Sequence, residues 1–417
     1  MKKVLMISYY WPPSGGPGVQ RVLKFCKYLP EFGWDPIILT VKNGDFPVVD
    51  PSLNSETNVS DIFYAKSLSI HKIFKLISRK KTVPTYQLSG SVGESIIIRI
   101  FRWIRYNLVV PDARIGWYPN AVKIGAKVLR DMNIKLIFSS GPPQTSHLIA
   151  RSLSKKYNLP WVADFRDPWT DRFYYSENKR LRITELFDAY LEKKVLDNAG
   201  ALTTVSKTIA DYYKRNISII PNGYDEADFL SIKKIKSKDL VIGYLGTMSK
   251  SQNPVTFFDT VHEMNLNSIK KFRINLIGNI HPDISRYINL NGYEYFIKVK
   301  PYIPHKESIQ QMISSDFLLL VIPKTKKNMG VVTGKVFEYI RSGSTIIMIG
   351  PPDSDAAKIV MDANSGFCLD YNDKNQIELI LSGEKRTNSS GYTQYSRKNI
   401  TRLLVNVFEK IQNNKVL

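Results

Sequence analysis

Apolar runs of four to six residues alternate along the chain with longer amphipathic stretches. Residues 4–8, 36–41, 135–139, 161–164, 201–204 and 217–220 make a first series of such runs. Continuous apolar runs this short read as strands buried on both faces, the habit of a parallel sheet. Between them, residues 19–32, 119–131, 145–157, 183–197 and 206–214 repeat apolar positions at helical spacing, with Ser206 placed as an N-cap. A second series begins at 240–245 and continues at 273–277, 295–300, 317–322, 345–349 and 366–369. Helices are expected at 254–264, 306–314, 334–342 and 354–362, with a last long one at 395–412. Strand and helix in strict alternation predict an α/β protein of two Rossmann-like, doubly wound domains. The turn signal PNG at 221–223 sets a hinge near residue 222. The expected division is 1–222, 223–394, and a last helical segment, 395–417. Ligands of such sheets sit beyond the carboxyl ends of the strands, so two of them facing across a cleft predict a site there. Residues 224–238, acidic and then lysine-rich, read as a linker, and residues 43–92 as polar and irregular.

At 417 residues, 43% hydrophobic and 23% charged, the chain suits two soluble cores. Its formal charge of +22 is what changes the picture. Residues 51–150 hold 14 Lys and Arg against 5 Asp and Glu, so they supply +9 of it. That excess predicts an anionic partner: nucleic acid, an acidic membrane face or a phosphorylated substrate. One basic run lies at 71–81. Over 95–106, Ile97, Ile100, Phe101 and Ile104 share one helix face while Arg99, Arg102 and Arg105 share another. This is the pattern of an interfacial helix, and equally of a core helix with an arginine rim. The opening Met-Lys-Lys runs straight into a strand, and the only cysteines, Cys26 and Cys368, are distant in sequence. A cytoplasmic protein without a disulfide framework is expected. No apolar run reaches membrane-spanning length.

The candidate chemistry centres on residues 317–350, a strand, a loop, a short helix closing on Gly343 and another strand. Gly330 and Gly334 flank the helix entry and Lys335 stands in the first turn, which suits a bound phosphate. Glu338 lies one turn from Gly334 and offers a carboxylate to hydroxyls. The same residues also fit a capped βα turn with a solvated Lys–Glu pair. The first βα turn, WPPSGGPG at 11–18, is rich in glycine but is not a dinucleotide fingerprint. SSGPPQ at 139–144 and DFRDPW at 164–169 end two strands. Asp164, Arg166 and Asp167 are the candidate catalytic residues, placed to hold an acceptor's hydroxyls or act as a base; a salt-bridge network pinning a loop explains them too. His147 is expected as a capping or core histidine. GYLGTMSK at 243–250 repeats the strand–glycine–cation theme and makes Lys250 a candidate for a diphosphate. Tyr302, in PYIP at 301–304, is a candidate nucleobase platform. No spacing fits a metal site, a Ser-His-Asp hydrolase or a P-loop.

Taken in order, YYWPPSGGPG (9–18), SSGPP (139–143), DFRDPW (164–169), IPNG (220–223) and KVFEYIRSG (335–343) make the chain resemble the retaining GT-B glycosyltransferases of family four, those of bacterial surface polysaccharide assembly. The resemblance implies two Rossmann-like domains, a nucleotide-sugar donor held mainly by the second, and a last helix that crosses back onto the first. It implies that Glu338 receives the donor ribose hydroxyls and that Gly330, Val331 and Val332 meet the sugar and phosphates. Gly15 and Gly16 would approach the diphosphate, and Tyr302 and Ile303 the nucleobase. Three positions depart from the family pattern. Gly330 stands where a second glutamate is common, Thr247 and Gln252 near the usual Arg and Lys, and Ser139 and Ser140 near a frequent histidine. The expected activity is transfer of a sugar from a nucleoside diphosphate, UDP before GDP, to a hydroxyl of a glycan or lipid-linked acceptor of capsule or O-antigen type. The anomeric configuration is expected to be retained, with no metal and no cofactor. The expected place is the inner face of an anionic membrane, without nucleic acid as a partner. Two other readings are a nucleotide-sugar 2-epimerase on the same fold and a basic nucleic-acid-binding protein.

Overall fold

The computed structural model describes residues 1–68, 96–170, 180–230, 232–267, 271–383 and 392–413. The basic run at 71–81, and the side chains of Ile97 and Phe101, lie outside the described residues. The chain divides into two compact units. The first holds Met1–Val205, Ile209–Pro221 and Thr401–Leu417; the second holds Ser206–Thr208 and Asn222–Ile400.

The first unit is built on a parallel sheet of seven strands: β1 (Lys2–Ile7), β2 (Trp34–Lys42), β3 (Asp61–Lys66), β4 (Ile134–Gly141), β5 (Trp161–Phe165), β6 (Ala201–Thr204) and β7 (Ser218–Ile219). Their order is β3-β2-β1-β4-β5-β6-β7, so the winding reverses between β1 and β4. Register there pairs Met6 with Phe138 and Ile7 with Ser139. The glycine-rich loop after β1 and the SSGPPQ turn after β4 therefore sit side by side at the switch point, where doubly wound sheets bind ligands. The last helix, Arg397–Asn413, contributes its part from Thr401 onward to this unit. Phe408 packs on Trp34 and Phe138 with ring centroids 5.1 and 6.0 Å away, and Glu409 takes bonds from Trp34 Nε1 (3.0 Å) and Lys2 Nζ (2.7 Å).

The second unit has six parallel strands: β8 (Leu240–Leu245), β9 (Phe272–Ile277), β10 (Ile297–Lys300), β11 (Phe317–Val321), β12 (Thr345–Ile349) and β13 (Gly366–Leu369). The order is β10-β9-β8-β11-β12-β13, with its reversal between β8 and β11. Successive residues of β11 and β12 feed alternate cores. Leu319, Val321, Ile347 and Ile349 enter one cluster, while Leu318, Leu320, Ile346 and Met348 enter the other. Both faces are covered, which is why these strands read as unbroken apolar runs.

Four details differ from the sequence reading. Residues 43–92 were expected to be irregular, yet β3 lies within them; it is an edge strand with only Ala65 buried, so its apolar signal is weak. The strand expected at 295–300 starts at Ile297, because Tyr293–Tyr295 forms a 3₁₀ turn. Helices Pro282–Leu290 and Lys374–Leu381 were missed, although His281 and Asp373 cap them. The segment read as a linker begins inside the second core, where Tyr224 and Phe229 are buried.

Candidate functional site

In the second unit, the C-terminal end of β8 and the loop after β11 meet at the switch point. β8 is followed by Gly246, at φ +110°, a conformation glycine adopts without penalty. A Cβ at Gly246 would fall 2.6 Å from Lys335 Cε and 2.9 Å from its Nζ, so the missing side chain is the space the lysine occupies. Lys335 opens the helix Lys335–Ser342, whose N-cap, Gly334, supplies no capping side chain. The backbone amide of Lys335 donates to Thr333 Oγ1 at 3.2 Å. Its ammonium donates to Tyr244 Oη (3.0 Å) and the Thr247 carbonyl (3.5 Å), and stands 4.2 Å from the Tyr244 ring centroid. Burial lowers its pKa to about 8, against the opposing pull of the Glu338 carboxylate. A buried cation in the first turn of a helix whose N-cap offers no side-chain acceptor suits an anion.

One turn on, Glu338 Oε1 lies 3.1 Å from His305 Nε2. His305 begins the helix His305–Ser314, directly after the PYIP loop. In that loop Tyr302 is 75% exposed and Ile303 packs against the core. The structure thus joins Lys335, Glu338, His305, Tyr302 and Ile303 along one rim of this unit. The loop carrying Gly330, Val331 and Val332 is pinned beneath them: Asn328 Nδ2 bonds Pro323 O and Tyr371 Oη, both at 3.1 Å, and Val331 N donates to Asn328 O at 3.1 Å. Lys250 goes elsewhere. It pairs with Asp283 at 3.0 Å and lines a cavity of about 290 Å³ together with Lys324 and Tyr371.

In the first unit, Gly15 and Gly16 end the loop after β1. Gly16, at φ +93°, is the N-cap of the helix Pro17–Tyr28 and, like Gly334, leaves the helix amides without a side-chain acceptor. Gly15 N is tied to Val48 O at 2.9 Å. The three DFRD candidates separate by depth. Asp164 is fully buried. Its carboxylate takes two bonds from Arg21 (2.9 and 2.8 Å) and one each from Ser140 Oγ and Thr203 Oγ1, both at 2.8 Å. Burial opposes the charged form, but the Arg21 guanidinium and the two hydroxyls outweigh it and hold Asp164 below the usual carboxylate range. With every neighbour satisfied, Asp164 braces the ends of β4, β5 and β6 rather than meeting solvent. Arg21 also donates to Ile220 O (2.9 Å) and Pro221 O (3.0 Å). Arg166 turns back onto the SSGPPQ turn through Gly141 O at 3.1 Å and Pro142 O, and burial lowers its pKa. A Cβ on Gly18 would fall 2.5 Å from Arg166 Nη1, so the glycine loop and this guanidinium share one space. Asp167 alone of the three is exposed. His147 is a core residue, stacked 4.6 Å from Phe165 with Nδ1 2.8 Å from Ser139 Oγ.

Arg21, Tyr244 and His305 escaped the sequence reading. The position of Arg21, three residues after the last glycine of the loop, was the one available signal. Among the described residues no group of three or more His, Cys, Asp or Glu side chains gathers to hold a metal, and no helix is long and apolar enough to cross a membrane.

Among solved structures the chain is similar to Anabaena HepE in complex with UDP, at TM-score 0.64 and 12% identity, over 98% of this chain and 100% of that one. It is similar to sucrose-phosphate synthase of Thermosynechococcus elongatus at TM-score 0.59 and 14% identity, over 100% and 97%. The apo form of the lipopolysaccharide outer core galactosyltransferase WaaB matches at TM-score 0.60 and 14% identity, over 98% and 100%. These likenesses show the fold, two Rossmann-like domains of the GT-B type. No curated protein sequence matches the chain. The family model described as Glycosyltransferase Family 4 matches residues 18–228, just over half of the 417. The chain belongs to glycosyltransferase family 4, and is a glycosyltransferase.

Proposed function

We propose that the protein moves a sugar from a nucleoside-diphosphate sugar to a hydroxyl of a glycan acceptor, with retention of anomeric configuration and without a metal. The observation that carries this reading is the Lys335–Glu338–His305 rim, a partly desolvated cation and a carboxylate one helical turn apart beside an exposed tyrosine. Lys335 and the amides of its helix neutralise the departing diphosphate. Glu338 accepts the ribose hydroxyls, and Tyr302 with Ile303 borders the base. The loop of Gly330, Val331 and Val332, braced by the bond from Val331 N to Asn328 O, borders the sugar and phosphates. In the first unit Asp164 and Arg166 position the turns that receive the acceptor, Gly15 and Gly16 shape the turn into a helix start that has no side-chain cap, and Asp167 is the group open to the acceptor. Catalysis is then largely positioning and charge stabilisation, with the leaving diphosphate taking the acceptor proton in a front-face substitution. Lys250, paired with Asp283, serves the diphosphate only if that pair opens.

UDP is favoured over GDP, in keeping with the UDP and UDP-glucose held in the HepE complexes. The charge of +22 fits a lipid-linked acceptor of capsule or O-antigen type, met at the cytoplasmic face of an anionic membrane. A thermal-shift panel of UDP, GDP and their sugars tests the donor: one nucleotide series is expected to stabilise the protein, and the absence of any shift removes the donor assignment. With the donor known, the anomeric configuration of the product, read by NMR, tests retention.

A further inference from the structure

The helix Arg182–Asn198 is amphipathic the wrong way round for a helix in water. Its buried stripe carries Thr184, Asp188 and Glu192, ending in Val195. Asp188 is held by Trp169 Nε1 at 2.7 Å and Arg180 Nη1 at 2.9 Å, and Glu192 by Thr170 Oγ1 at 2.7 Å. Its outward stripe is Ile183 (74% exposed), Leu186 (57%), Phe187 (51%) and Tyr190 (53%), at the i, i+3, i+4, i+7 spacing of one continuous face. Single exposed apolar residues are ordinary, whereas a full stripe over a polar underside is not.

This stripe has a neighbour. The helix Ile96–Asn107 ends against the start of Arg182–Asn198: Asn107 O accepts from Thr184 Oγ1 at 2.8 Å, and Asn107 Oδ1 from Leu181 N at 2.6 Å. One turn before that joint Trp103 is 47% exposed, and Ile100, 54% exposed, precedes it on the same helix. That helix carries Arg99, Arg102 and Arg105 and no acidic residue. An exposed apolar pair beside arginines and an exposed apolar stripe therefore lie on two helices joined at Asn107.

We propose that these two helix faces form a docking surface for an anionic lipid bilayer, with Ile100, Trp103, Ile183, Leu186, Phe187 and Tyr190 entering the interface and Arg99 and Arg105 meeting the headgroups. Apolar side chains backed by arginines fit an interfacial, peripheral mode of binding. Charge decides against a second copy of the chain, because self-association would bring two cationic flanks together. The inference deepens the membrane placement proposed above, but uses none of the residues of the donor site.

The test is flotation of the full chain with vesicles of phosphatidylcholine alone or with about a third phosphatidylglycerol. Wild type is expected to bind the anionic vesicles, less so at high salt. Ile183→Glu combined with Phe187→Glu is expected to weaken that binding at least tenfold, and Arg99→Glu with Arg105→Glu to remove its salt-sensitive part. Leu290→Glu, at an 80% exposed position in the second unit, is expected to bind like wild type. Circular dichroism melting and nucleotide titration on the same preparations report folding and the donor site separately. The proposal is overturned if wild type ignores anionic vesicles, if the folded Ile183/Phe187 double variant floats like wild type, or if that variant turns a dimer into a monomer with vesicle binding unchanged.

Discussion

Removing the charge at Lys335 should abolish a pH dependence of nucleotide binding that wild type shows. The lysine ordinarily titrates near 10.5, and burial lowers it to about 8, which amounts to about 3 kcal/mol of uncompensated desolvation. A diphosphate placed against the ammonium restores the charged form and brings the pKa back toward its ordinary value. In the free protein about nine tenths of Lys335 is protonated at pH 7 and about one tenth at pH 9. In the complex it is protonated at both. Linkage is then expected to make the nucleoside diphosphate bind about tenfold more weakly at pH 9 than at pH 7, with proton uptake in the alkaline range. The second phosphate ionisation, near pH 6, is largely complete across this window. Isothermal titration calorimetry at the two pH values, in buffers of different ionisation enthalpy, reads both affinity and protons. Lys335→Met should bind about 10–100-fold more weakly at pH 7, from loss of a charge-assisted contact, and show no such slope. The same shift has a sign for stability. Between about pH 8 and 10.5 the unfolded chain holds more protons at this lysine, so its contribution to stability rises with pH across that window. A wild-type affinity that is flat from pH 7 to 9, or a Lys335→Met variant that binds like wild type, refutes the reasoning.

Four further substitutions probe the same geometry. Glu338→Gln should weaken nucleoside diphosphate binding about tenfold without changing the melting temperature by more than a degree or two, while His305→Ala, which frees the carboxylate, should not weaken it; competition binding compares them. Asp164→Asn leaves the Arg21 guanidinium buried without its counter-charge and should cost about 3–5 kcal/mol by urea denaturation at pH 7. Because Asp164 is held below its ordinary pKa, that difference should be present above about pH 4 and shrink as pH falls through the folded-state value. Gly246→Ala combines a strained φ of +110° with a Cβ in the path of Lys335, and should lower both stability and UDP affinity, measured by melting and calorimetry together.

Much of the fold was legible because parallel strands buried on both faces write themselves as apolar runs, as β11 and β12 do. What escaped was what burial does not mark. Strand β3 lies on an edge and is half exposed, and the short helices Pro282–Leu290 and Lys374–Leu381 announce themselves mainly by their caps. At the site, Lys335 and Glu338 were readable from local spacing, since one short helix carries both. Their partners were not. Tyr244 meets Lys335 across 91 positions of sequence, His305 meets Glu338 across 33, and Arg21 meets Asp164 across 143. Those contacts decide that Lys335 is desolvated and that Asp164 is sealed away, two properties that composition and periodicity leave open. The sequence marks 183–197 only as a helix, because periodicity reports that a helix has two faces but not which of them is inside.

Under the proposed function the second unit anchors a nucleotide through Lys335 and Glu338. Calorimetric titration of UDP and GDP into wild type, Lys335→Met and Glu338→Gln at pH 7 tests this anchor most sharply. One of the two nucleotides is expected to bind wild type at a single site, and each substitution to weaken it about tenfold or more in a folded protein. Binding of neither nucleotide by wild type, or unchanged affinity in both variants, would contradict it.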